Sequence, residues 1–212
     1  MHDAPAARGG LPVAAALVVA ALGPPTTPAE HLGPRIARAV AILTDPALEG
    51  EGKAAERRAA VRTIARDIFD FEEMAKRALG LHWRARTPGE QSRFVELFVG
   101  LLEHAYFSRI ERYGGGRVVV AGEAVDGRYA TVHTLVISAG EPEIPIDYRM
   151  AQRDDRWLVY DVVIEGVSLV ANYRSQFNRI IRQSSYEALI ERMRAKMPDG
   201  VNAPRDERVG VP

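Results

Sequence analysis

Apolar positions recur at helical spacing through the first half of the chain. Over Leu32 to Leu48, Ile36, Val40 and Leu43 form one stripe and predict an amphipathic helix. A glycine-containing break over Glu49 to Lys53 separates it from a second helix, Ala54 to Ile68, with Val61, Ile64, Ala65 and Ile68 on one face. Phe69-Asp70-Phe71 opens a short third helix. Asp70 can cap it, with Glu73 three residues on as a capping box requires, Met74, Ala75 and Leu79 facing inward and Gly80 as the stop. Thr87-Pro88-Gly89-Glu90 sets an N-cap, an N1 proline and an N3 glutamate in order. A long helix to about Tyr113 follows, with Phe94, Leu97, Phe98, Leu101, Leu102, Ala105, Tyr106 and Ile110 as its stripe, ended by Gly114-Gly115-Gly116.

The period then falls to two. Arg117 to Val125, Tyr129 to Ser138, Ile144 to Arg153 and Trp157 to Ile164 read as four strands, with hairpin signals at Asp126-Gly127 and Asp154-Asp155. Alternation puts Ile144, Ile146, Tyr148 and Met150 on one face of the third strand. In the fourth it sets Leu158, Tyr160, Val162 and Ile164 against Val159, Asp161 and Val163. Short connections predict an antiparallel meander. After Gly166 the helical period returns in two stripes, Leu169, Tyr173, Phe177, Ile180 and Ile181, then Tyr186, Leu189, Ile190 and Met193. The expected class is α+β, with helices packed on one face of a curved antiparallel sheet of about four strands and two helices after it.

Lys+Arg and Asp+Glu both number 28, so the basic excess of a nucleic-acid binder is missing. There is no cysteine, which excludes disulfides, thiolate metal sites and cysteine nucleophiles. Leu11 to Leu22 is an uncharged, mostly apolar run between Arg8 and Gly23-Pro24-Pro25. As a helix it spans about 18 Å, short of the roughly 30 Å hydrocarbon core, and fits the h-region of a secretory leader. Thr27-Pro28-Ala29 offers a cleavage site after Ala29. The expected division is a leader over 1–29, one folded domain over 30–198 and a disordered tail over 199–212.

Three stretches carry a resemblance: Phe69-Asp70-Phe71-Glu72-Glu73-Met74-Ala75 through Ala78-Leu79-Gly80 with Trp83 and Arg84; Thr87 to Phe98; and Trp157 to Phe177, WLVYDVVIEGVSLVANYRSQF. Together they resemble the MlaC, or Ttg2-type toluene-tolerance, family of auxiliary components of lipid ABC transporters. The resemblance implies an NTF2-like fold with a lipid cavity between sheet and helices, and a periplasmic location. It further implies a non-enzymatic carrier that shuttles phospholipid between an outer-membrane lipoprotein complex and an inner-membrane MlaFEDB-type transporter, maintaining outer-membrane lipid asymmetry. A hopanoid-associated branch of the family is the related alternative. No cofactor is implied.

If an apolar sheet face holds acyl chains, alternation nominates Ile146, Tyr148, Val162 and Ile164 as lipid-binding residues, with Leu97, Leu101 and Ala105 of the long helix as the opposing wall. The same side chains also suit a filled core, as in an adaptor without a ligand. The histidines show no metal-ligand spacing and no H-E-x-x-H. His133 with Asp147 or Asp161 is the candidate acid-base pair for the alternative reading, an isomerase- or dehydratase-type enzyme. Ser168 is a candidate N-cap. Asp161 is expected to accept backbone or arginine hydrogen bonds at the sheet–helix corner, while Asn172 and Arg174 are candidates for helix surface, a structural pair with Asp161, or a headgroup contact.

Overall fold

A computed structural model describes residues 27–112, 116–138, 140 and 142–196. The leader reading, the joint at 114–115 and the tail beyond 196 lie outside the described residues. Four α-helices come first: α1 (Pro28–Leu43), α2 (Ala54–Ile68), α3 (Phe71–Leu79) and α4 (Pro88–Arg112). Five strands follow: β1 (Arg117–Asp126), β2 (Tyr129–Ile137), β3 (Ile144–Arg153), β4 (Arg156–Ile164) and the two-residue β5 (Val167–Ser168). Helices α5 (Leu169–Gln183) and α6 (Tyr186–Ala195) end the described chain. The strands form one antiparallel sheet in sequence order, β1-β2-β3-β4-β5. The expected α+β architecture is therefore present, with β5 as a strand that periodicity over two residues cannot reveal.

Helix starts follow the capping chemistry. At α4, the Thr87 backbone N–H donates to Glu90 Oε2 at 2.7 Å and the Glu90 N–H donates to Thr87 Oγ1 at 3.3 Å, a complete capping box. The same four-residue pattern stands at Thr27-Pro28-Ala29-Glu30 and does the same work for α1. That helix thus begins four residues before Leu32, and the division placed between Ala29 and Glu30 falls inside it. At α3 only half of the expected box forms. Asp70 Oδ1 accepts from the Glu73 N–H at 2.9 Å, but the Glu73 carboxylate is held by Arg77 and Arg153.

Two β-bulges correct the simple alternation. In β4, Met150 pairs with Val159 and Arg149 with Asp161, which leaves Tyr160 as an extra residue. The bulge switches faces, so Trp157 and Val159 lie on the same side as Val162 and Ile164, not opposite them. A second register shift lies between Val120 and Gly122 in β1.

Two apolar clusters result. One is helical and joins α3, α4, α5 and α6 through Met74, Leu79, Phe94, Phe98, Phe177 and Leu189. Phe177 meets Phe94 and Phe98 edge-on, with ring centroids 5.7 and 6.0 Å apart. The other joins Leu32 of α1 and Ile64 and Ile68 of α2 to one sheet face, through Ala130, Val132, Met150, Trp157 and Val159. Call this the inner face; α1 and α2 cover it, and the Ala29 N–H donates to Glu123 Oε2 of β1 at 2.7 Å.

Candidate functional site

The β3–β4 register pairs Ile146 with Ile164 and Tyr148 with Val162, so four nominated side chains form one patch on the inner face. Tyr148 and Val162 border the sheet cluster, and so do Ile36, Ala39 and Ile42 of α1, but all five remain only half-buried. Val132 and Met150 beside them are fully buried. The inner face is thus closed toward Trp157 and loosely covered toward Ile164. Leu97 and Leu101 of α4 sit elsewhere, within the helical cluster, at 4% and 6% exposure, and Ala105 is half-buried. The structure brings the sheet residues together and places Leu97 and Leu101 in a different cluster. Ile36, Ala39 and Ile42 pack against this face and were not nominated from the sequence. The α1 stripe of Ile36, Val40 and Leu43 signalled only the first of them, and not the surface it would meet.

Tyr148 distinguishes this region from an ordinary core. Protein surrounds it closely enough that burial pushes its hydroxyl up to about 12. Even so, the side chain keeps accessible surface. Among the described residues its hydroxyl has no hydrogen-bond partner, and it is not among the sealed, unpaired polar atoms, which are His31 Nε2, Arg86 Nε and Arg194 Nε. Tyr148 thus stands at the border between the closed and the loosely covered parts of the inner face. Its sheet neighbours are apolar apart from Thr134, whose hydroxyl donates to the Ile146 carbonyl at 2.9 Å.

The other polar candidates serve the fold. Asp161, 4% exposed, accepts from Ser168 Oγ at 2.6 Å, from the Val170 N–H at 3.0 Å and from Arg149 Nη1 at 3.1 Å. Ser168 in turn caps α5, accepting from the Ala171 N–H at 3.0 Å. The carboxylate therefore fixes the turn from sheet to helix. Arg149 takes the ion-pair role for which Arg174 was a candidate; Asn172 accepts from Gln176 on the helix surface.

His133 Nδ1 lies 2.8 Å from Asp147 Oδ1, so the candidate acid-base pair exists. Both side chains are nearly half exposed on the outer sheet face, opposite Val132 and Tyr148. A cleft of about 340 Å³ also opens on that face, lined by Glu73, Arg77, Arg128, Tyr129, Ala151, Gln152, Arg153 and Asp154. Its arginines are already engaged: Arg77 with Glu73, Arg153 with Asp70 and Glu73, and Arg128 with the Gln152 carbonyl. It is polar where an acyl chain needs apolar walls. Among the described residues no cluster of His, Cys, Asp and Glu suits a metal ion, and no helix is long and apolar enough to cross a membrane.

Comparison with known proteins places this architecture. The profile of the family described as "MlaC protein" matches residues 35–195. The chain belongs to the MlaC family. Among its MlaC-family relatives, the intermembrane phospholipid transport system binding protein MlaC of Haemophilus influenzae is 22% identical over 63% of this chain and 66% of that protein. Toluene tolerance protein ttg2D of Pseudomonas putida is 26% identical over 56% of each chain. The chain spans less than two thirds of the length of these two relatives. The solved phospholipid-binding protein from Ralstonia solanacearum, in complex with a phospholipid, shares the MlaC fold with a TM-score of 0.70. It is 23% identical, and the match covers 78% of this chain and 94% of that one.

Proposed function

We propose that this MlaC-family chain is a phospholipid carrier that holds acyl chains in the space between the inner sheet face and α1, and that it catalyses no reaction. The observation that carries the reading is the half-covered apolar patch of Ile146, Tyr148, Val162 and Ile164, which adjoins the closed part of the same face. Exposing an acyl chain to water costs about 0.8 kcal/mol per methylene, or roughly 12 kcal/mol for one long chain. A carrier must match that with dry surface left unfilled by its own side chains. In this reading Ile36, Ala39 and Ile42 of α1 form the opposing wall, while Leu97 and Leu101 of α4, nominated with Ala105, stay in the packed helical cluster. The names of the relatives and of the lipid-bound neighbour support phospholipid as the cargo.

In this reading the mature protein is periplasmic. It moves phospholipid between an outer-membrane lipoprotein complex and an inner-membrane MlaFEDB-type transporter, and so maintains outer-membrane lipid asymmetry. The proposed domain limits are a leader ending before Thr27, a lipid-binding domain to about residue 198 and a tail beyond. Organic extraction of protein purified from its native compartment, followed by mass spectrometry, tests the central claim. One phospholipid per chain is expected. Protein that carries no lipid, and takes up none after incubation with phospholipid vesicles, would refute it.

A further inference from the structure

The Tyr148 hydroxyl is a polar group in a place where an alkyl chain has nothing to offer it. Its strand neighbours are Ile146 and Met150, and the residues paired with it are Val132 and Val162. None of these four, which share the inner face, carries a charge, so they offer a phosphate no counter-ion. A trapped water needs two to four polar partners. Beside Tyr148 the nearby sheet positions add only Thr134, whose proton is already directed to the Ile146 carbonyl. With its hydroxyl held up to about 12 by burial, the tyrosine is a neutral donor across the physiological range. What fits it is a neutral acceptor attached to an apolar chain.

We infer that Tyr148 is a specificity-determining residue that selects ester-linked lipids, its hydroxyl donating to the carbonyl oxygen of a bound acyl ester. The inference rests on the carrier reading and deepens it. A chain joined to glycerol through an ether has no carbonyl, so the hydroxyl stays unpartnered when such a lipid binds. An unmade hydrogen bond in a buried site changes affinity by about tenfold. A carrier with this device takes the ordinary diacyl lipids of a membrane and discriminates against alkyl analogues of the same length and headgroup.

The test uses the delipidated full chain and two probes, dioleoyl phosphatidylglycerol and its diether analogue with identical chains and headgroup. Dissociation constants are measured for the wild type and for Tyr148→Phe, which removes only the hydroxyl. The wild type is expected to favour the diester by about tenfold. Tyr148→Phe is expected to bind both lipids equally, near the wild-type value for the diether, and to melt no lower than wild type when empty. A wild type that binds both lipids alike overturns the inference and leaves the carrier reading intact, as does a Phe variant that keeps the preference. Should the wild type bind neither lipid, the carrier reading fails and the inference with it.

Discussion

Replacing Asp161 by alanine removes three hydrogen bonds from one carboxylate: those from Ser168 Oγ, the Val170 N–H and Arg149 Nη1. They contribute unequally. The Arg149 side chain is nearly half exposed and regains water when its partner is lost, so its share is small. Val170 is 4% exposed, and its N–H is left in apolar surroundings near the start of α5. An orphaned buried donor costs about 1–3 kcal/mol, and the Ser168 hydroxyl adds a second loss of that kind. Because the groups share one acceptor, the losses overlap, and the expected total is about 3–4 kcal/mol. In a domain of this size 1 kcal/mol moves Tm by about 2–4 °C, so the drop should be roughly 10 °C. Asp161→Asn keeps an amide oxygen for the Val170 N–H and should show about half the effect. Urea titration of the delipidated variants by circular dichroism gives both numbers, with m unchanged if only the native state is affected. An alanine variant within about 0.5 kcal/mol of wild type, the range of ordinary surface changes, refutes the view that this carboxylate holds the sheet–helix corner.

Ile146→Trp tests the cavity wall. Lipid occupancy should fall while the delipidated protein loses less than about 1 kcal/mol, whereas the 1–3 kcal/mol typical of an overpacked core would show that Ile146 lines filled space. The acid dependence of stability tests His31, which is 7% exposed and has its pKa lowered below 6.5, mainly by burial and secondarily by Arg35 and Arg156. Because the folded protein resists protonating it, this group's stability is fully present above pH 6.5 and is lost as pH falls through the lowered value. His31→Gln should flatten that part of the melting profile, and an equal slope in both proteins would remove His31 as its source. Intact-mass measurement of exported protein should show a mature start at or before Thr27, because cleavage after Ala29 would delete the α1 cap and the Ala29 N–H to Glu123 bond. A product beginning at Glu30 would contradict this.

Much of the order of elements is local chemistry and could be read from the chain. Thr87 to Glu90 announces α4 through residues that satisfy the first free N–H groups of a helix, and Thr27 to Glu30 announces α1 by the same rule. The second signature was equally legible, in the same residues that also read as a cleavage site. Likewise, Asp161 and Ser168 at a strand–helix corner pointed to hydrogen-bonding duty before any partner was known.

Tertiary structure alone decided which faces are shared and which are filled. β4 is apolar on both sides, so its alternation gave no hint that Tyr160 is an extra residue, and only pairing with β3 shows that Val159 and Val162 lie on one side. Leu101 and Tyr148 were equally good candidates for a lipid wall. The first is buried in the aromatic-rich helical cluster, while the second is only half-buried at the edge of the sheet cluster. The same apolar side chains serve a core and a cavity. What separates the two is whether opposing elements approach closely enough to fill the gap, and that distance is set by the assembled fold.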